Sequence, residues 1–327
     1  MRNFVHSEPG DSRLVLDMPH SGVRGLDDPS LLPDVVRNNI RLESAKVRET
    51  LGMGVDLAVP GMTDFHNQTD HSRVWTDLPR VVLDVNRELT STDGLAVEGA
   101  GPAKHAHGLI WRGTVPHGLD FSRGPQGVHE QAAEMMEDIL RRPYTQAELD
   151  ELLALGYHPY YSALKSSMDR VVEREGAAVM VALHTFPEFA PVKLSEGRFT
   201  GAYALGPKVP TGLLQNRQLP DMISIHNAGA AATRPVLEAV RSTFEAAGYV
   251  VQDGIGPFKG DMGSTVLYSN LEEGRNVIGL EFVARGIELD RDQGSRELSQ
   301  EGVERVRPVF QELLDRLSDL SVDDLRS

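Results

Sequence analysis

The chain has 327 residues, enough for one large α/β domain or two smaller ones, with an ample core. Its 33 Lys plus Arg against 48 Asp plus Glu give a formal net charge of −15, which argues against a nucleic-acid or anionic-membrane surface. With no cysteine, disulfides, thiolate nucleophiles and Cys-based zinc sites are excluded, so any metal must be held by His and carboxylate. The opening MRNFVHSEPGDSR carries no apolar signal-peptide core, and no apolar run approaches the roughly 20 residues that cross a bilayer. A cytoplasmic protein, monomer or homodimer, is expected.

In chain order, Arg13 to Met18 reads as a short buried strand followed by a loop at Pro19-His20-Ser21-Gly22, where Gly22 lets the backbone turn. Asp34 to Leu51 has helical spacing, and a second helix is expected near Asp56 with Pro60 in its first turn. Val74 to Val85 reads as a strand around Val81, Val82 and Leu83. From about 88 to 127 the chain is rich in Gly, Pro and His without periodicity, a long insertion of the kind that is often functional. Tyr144 to Glu175 is helical, capped by Thr145 with Glu148 and split by Gly156 and Pro159. Ala177 to Leu183 is a fully buried strand. Arg234 to Ala247 is an amphipathic helix ending at Gly248. Strands at Tyr249 to Gln252 and Asn276 to Val283 precede a closing helix from Ser299 to Leu320. This alternation predicts an α/β fold: a mostly parallel mixed sheet covered by helices on both faces, in one domain over residues 1–327.

Four segments end buried-strand patterns on a polar residue, where open α/β sheets place their ligands. They are LVLDMPHSG with His20, RVVLDVNRE with Asp84, VMVALHTF with His184 and VIGLEFVARG with Glu281. A single such His is most simply a turn residue bonding backbone, but two on separate strands of one sheet fit a zinc site, which for catalysis uses three protein ligands plus water. Glu281 inside IGLEFV is either a structural ion-pair partner or a base whose pKa burial raises. Arg80, Asp84, Asn86 and Arg87 crowd one strand end, as an ion-paired terminus or as a guanidinium grip on a substrate carboxylate. His66 and His71, with Asp64 and Asp70, read as a solvated loop because no helical i, i+4 His pair is present. His105, His107 and His117 lie in the insertion and are expected to line or cover a pocket. No P-loop, GxGxxG or GxSxG is found, so nucleotide-binding and serine-hydrolase readings have little support.

Together these segments resemble the N-formylglutamate amidohydrolase family. Its members show a PHSG loop, an R-x-x-x-D-x-N-R strand, a D-x-H-S loop and a late L-E strand. Here these are Pro19 to Gly22, Arg80 to Arg87, Ala182-Leu183-His184-Thr185 and Leu280-Glu281. Weaker matches are GLIW from Gly108, YHPYYSAL from Tyr157, HNAGAAAT from His226 and PFKG from Pro257. The resemblance implies a zinc-carboxypeptidase-like (phosphorylase/hydrolase-like) fold and one zinc, or another divalent ion, held by His20, His184 and an acid. It assigns Glu281 as base. Counting back from Arg80 to the family's acidic segment reaches Asp56, with Asp64 and then Glu43 as fallbacks. Arg80, Arg87, Asn86, Asn227 and Lys259 are then expected to hold a small carboxylate-bearing substrate.

Two departures stand out. Ala182 replaces the Asp that precedes the second His by two positions. The segment after PFKG reads Asp261-Met262-Gly263-Ser264-Thr265, without the family's arginine. The implied activity is hydrolysis of the amide or formamide of a small N-acyl amino acid. Other readings are a related metalloenzyme acting on another small amide, or a non-catalytic binding protein on a decayed hydrolase scaffold, which Ala182 favours.

Overall fold

The computed structural model describes residues 3–25, 28–53, 56, 58–89, 96–100, 109–114, 127, 130–131, 134–186, 192–193, 199–200, 221–253, 268–283 and 300–326. Seven strands form one mixed sheet: β1 (Val5–Glu8), β2 (Leu14–Met18), β3 (Ser72–Thr76), β4 (Ala178–Phe186), β5 (Met222–Ile225), β6 (Val251–Asp253) and β7 (Arg275–Val283). Their order is β1-β3-β2-β4-β7-β5-β6. The β2–β3, β2–β4, β4–β7 and β5–β6 pairs are parallel, and the β1–β3 and β5–β7 pairs are antiparallel. The α/β class with a mostly parallel mixed sheet is therefore as the sequence predicts.

Alternation along the central strands builds two cores. Val15, Ala178, Met180 and Val277 join Tyr160, Leu164, Met168 and Val171 of helix α5 (His158–Glu175) on one face. On the other face, Leu14, Leu16, Val179, Val181, Leu183, Ile278 and Leu280 pack against three helices: α3 (Ala58–Met62), α6 (Arg234–Ala246) and α7 (Gln300–Asp319). A strand buried on both sides has no polar face, which is why β4 is a continuous apolar run until His184. Among the described residues no helix is long and apolar enough to cross a membrane.

The helix expected over Asp34 to Leu51 is broken into α1 (Asp34–Arg37) and α2 (Ala45–Met53). Between them the backbone of Asn39 and Arg41 pairs with the 139–141 segment, which takes the hydrogen bonds a helix would have used. The split expected at Gly156 and Pro159 does not occur. Helix α4 (Gln146–Leu152), with the Thr145–Glu148 capping box, passes through a π turn at Leu153–Tyr157 straight into α5. Pro159 is the second residue of α5, directly after the π turn. Residues 74–85 are not one strand: β3 stops at Thr76, and Val81 and Val82 lie in a buried turn. In the stretch with His66 and His71, His66, Asn67, Thr69 and Asp70 are exposed as expected of a solvated loop, whereas His71 is buried with its Nδ1 2.6 Å from the Ser12 hydroxyl. Most of the insertion at about 88–127, with His105, His107 and His117, lies outside the described residues, as do 256–265 with Lys259.

Candidate metal centre

His20 follows β2 in a loop held from outside. The Ser21 hydroxyl donates to the carbonyls of Met18 and Thr76 at 3.2 Å each. A Cβ at Gly22 would stand 2.0 Å from the Leu78 carbonyl oxygen. Glycine is thus required there by close approach of two backbones. Asp56 is tied to the same loop, its N–H donating to the His20 carbonyl at 2.8 Å, just before α3 begins. His184 is near the end of β4, and the neighbouring Thr185 hydroxyl donates to Asp56 Oδ1 at 2.9 Å. One residue thus sets the ligand candidate before it and the one across from it.

These contacts bring His20, Asp56 and His184 together, all buried. His184 Nδ1 lies 3.1 Å from His20 Nδ1, and both face Asp56 Oδ2, at 3.5 and 3.4 Å. Ligands at 2.0–2.1 Å in a tetrahedron around zinc are separated by roughly 3.3 Å, so the triangle matches one face of that tetrahedron. Asp56 Oδ2 is a buried carboxylate oxygen with no hydrogen-bond partner, which is costly unless it coordinates something. Burial alone would raise the Asp56 pKa, but the adjacent imidazoles of His184 and His20 hold it well below the usual carboxylate range. His184 is pushed down to about 4, mainly by burial and then by the charge of His20, so it is neutral as a ligand must be. The residues present fit a divalent metal ion.

Asp84, which the sequence offered only as part of an ion-paired strand end, is a partner of His20 as well as of Arg80. His20 Nε2 donates to its Oδ1 at 2.9 Å, which fixes the tautomer and leaves Nδ1 with a lone pair toward Asp56. Burial opposes ionisation of Asp84, yet the Arg80 guanidinium and His20 hold its pKa well below the ordinary value. Arg80 donates from Nε at 2.8 Å, Arg87 Nε is 3.6 Å away, and the Asn86 N–H donates at 3.0 Å. The arginine cluster is therefore anchored on Asp84 first. What Arg80 can offer a substrate is its terminal nitrogens, with its guanidinium also 5.4 Å from the Trp111 ring centroid.

Glu281 is level with His184 on the adjacent parallel strand, on the same face of the sheet. It is 9 % exposed. Burial, followed by the charge of Asp56, raises its pKa well above the ordinary value, and Arg80 and Arg87 only partly offset this. The phenols of Tyr157 and Tyr161 donate to the carbonyls of Arg87 and Val85, so the π turn and α5 brace the segment that carries Asp84.

Other expected site residues are not assembled here. Asn227 is exposed in the turn after β5, beyond the Ile225–Gly279 pair and toward the sheet end opposite Glu281. Asp64 instead accepts from Asn67, and Glu43 pairs with Arg141 at the surface. Lys259 lies outside the described residues. The resemblance placed Asn227 by a short sequence match, which carries no information about strand direction.

Residues 12–287 match the N-formylglutamate amidohydrolase family. Comparison with curated proteins finds no significant match. Among solved structures, the chain is similar to N-formylglutamate amidohydrolase from Ralstonia eutropha JMP134, with a TM-score of 0.71 and 21 % identity. That alignment covers 97 % of this chain and 98 % of the other. It is also similar to gene product Atu2144 from Agrobacterium tumefaciens, with a TM-score of 0.54 and 14 % identity over 97 % and 96 % of the two chains. At these identities the structural likeness shows a shared fold.

Proposed function

We propose, from the premise that this chain belongs to the N-formylglutamate amidohydrolase family, that it is a metal-dependent hydrolase of a small N-acyl amino acid. The observation that carries the reading is the triangle of Nδ1, Nδ1 and Oδ2 atoms from His20, His184 and Asp56, spaced as the ligands of one ion. These three residues would hold zinc or a similar divalent ion. Such an ion supplies Lewis acidity that polarises the scissile carbonyl and makes a water nucleophilic near neutral pH.

The chain's own residues do the rest. Glu281, in its carboxylate form, accepts the proton of the attacking water and returns it to the departing amine nitrogen. Asp84 keeps the His20 ring in the tautomer that ligation needs. The terminal nitrogens of Arg80, with Arg87 beside it, bind a substrate carboxylate and hold the acyl carbonyl next to Glu281. We assign the substrate to N-formylglutamate-like compounds and the place of action to the cytoplasm.

The test is a panel of N-formyl and N-acyl amino acids assayed on the protein as purified, after chelation, and after zinc is restored. Hydrolysis that disappears with the metal and returns with it supports the reading. A protein that takes up no divalent ion and turns over none of the panel overturns it.

A further inference from the structure

Among the described residues, the reaction as derived leaves one buried carboxyl unused. Asp17 faces α5 from the centre of the sheet, is 2 % exposed, and accepts a hydrogen bond from the Tyr160 phenol. Strand register fixes its neighbours. Asp17 is level with Ala182 on β4, and Ala182 with Gly279 on β7. One pleat further along, on the same face, His184 is level with Glu281. The row Asp17, Ala182, Gly279 is therefore the floor beneath the His184–Glu281 row. Ala182 and Gly279 offer no functional group, so Asp17 is the acid of that floor.

A second observation concerns His184 in the row above. His184 turns Nδ1 toward His20 and Asp56, while its Nε2 is buried without a hydrogen-bond partner. When Nδ1 gives its lone pair to a metal, Nε2 carries the proton. A buried N–H with no acceptor costs about 1–3 kcal/mol, so ligation by His184 calls for a compensating negative pole on that side. Metal-bound imidazoles ordinarily find this in a carboxylate or carbonyl, as His20 does in Asp84. Ala182, two positions before His184 on its own strand, cannot supply it.

We propose that Asp17 is the positioning residue for His184: clamped by Tyr160, it supplies from the neighbouring strand the negative pole that orients the imidazole for metal binding. Asp84 and Asp17 then serve the two histidines separately, one at the side of the site and one beneath it. This rests on the reading of His20, Asp56 and His184 as a metal centre.

The experiment is zinc affinity by chelator competition for the wild type and D17N, with the melting temperature of each metal-free protein and the visible spectrum of each cobalt-loaded protein. Loss of a partner of this kind weakens metal binding by about 10–100-fold. D17N should show that loss and altered cobalt bands, with no fall in metal-free melting temperature. Wild-type affinity in a folded D17N overturns the inference and leaves the metal centre standing. A wild type that binds no zinc overturns both. Should D17N not fold, Y160F replaces it, because it removes only the phenol that clamps Asp17. A zinc affinity lowered threefold or more in Y160F supports the role, and an unchanged one overturns it.

Discussion

His20 Nε2 and Asp84 Oδ1 are 2.9 Å apart, although the residues are 64 positions apart in the chain. This bond decides which nitrogen of His20 is left for a metal, and Asp84 is simultaneously the anchor of Arg80. D84N should therefore act twice. Zinc affinity should fall by roughly 10–100-fold because the tautomer is no longer fixed. The melting temperature should fall because Arg80 loses its charged partner. Chelator competition and thermal melts on one preparation check both, and unchanged zinc affinity would remove Asp84 from the site.

Glu281→Gln keeps the volume and removes the proton acceptor. The rate on the best substrate of the panel should drop on the order of 10²–10⁴, with zinc content unchanged. Burial raises the Glu281 pKa, so a neutral amide there should not lower the metal-free melting temperature at pH 8. A structural ion pair would give the opposite pattern: lower stability, with turnover of the folded fraction preserved.

Asp17 is pushed up to about 7, by burial against the lowering effect of the Tyr160 hydrogen bond and of His20. A group whose folded pKa is raised stabilises the protein fully below its unfolded pKa and loses that contribution as pH rises toward the folded value. The metal-free wild type should therefore lose stability relative to D17N as pH rises from about 4 to about 7, and the gap should then level off. Melting curves of the two metal-free proteins at pH 4, 5.5, 7 and 8.5 measure the gap. A gap constant across that range would contradict the shift.

Gly22→Ala adds one methyl where the Leu78 carbonyl already stands. Backbone has to move, at a cost of about 1–3 kcal/mol. The movement falls two residues from His20, so zinc affinity should fall together with stability. G25A offers the contrast, since its added methyl meets the side chain of Leu32 in place of backbone. The latter should be strained by its positive φ of 85° yet leave zinc affinity nearly intact.

The central strands were legible in the sequence because two-sided burial forces continuous apolar runs, and β2, β4 and β7 stand where those runs lie. Edge strand β1 and the short β5 were not, because each offers only a few residues and no periodicity that separates strand from loop. The apolar trio Val81, Val82 and Leu83 misled for the converse reason: a turn can be as buried as a strand when another segment covers it, here through Val81 and Asp84 pairing with Trp111 and Leu109. His20, His184 and Glu281 could be picked out as polar ends of apolar runs. Thr185 and Asp84 acquire their roles from contacts made 129 and 64 positions away, and local pattern does not encode such contacts.

His20 and His184 are 164 positions apart and meet at the ends of β2 and β4, neighbours at the middle of the sheet. Pairing of parallel strands so remote in the chain carries a loop-closure cost that local contacts do not, which slows folding. Asp56 is tied to the same loop through its bond to the His20 carbonyl. A partly synthesised or half-folded chain thus owns scattered imidazoles and carboxylates but no pocket for an ion. An ion would meet its full set of donors only once the sheet is whole.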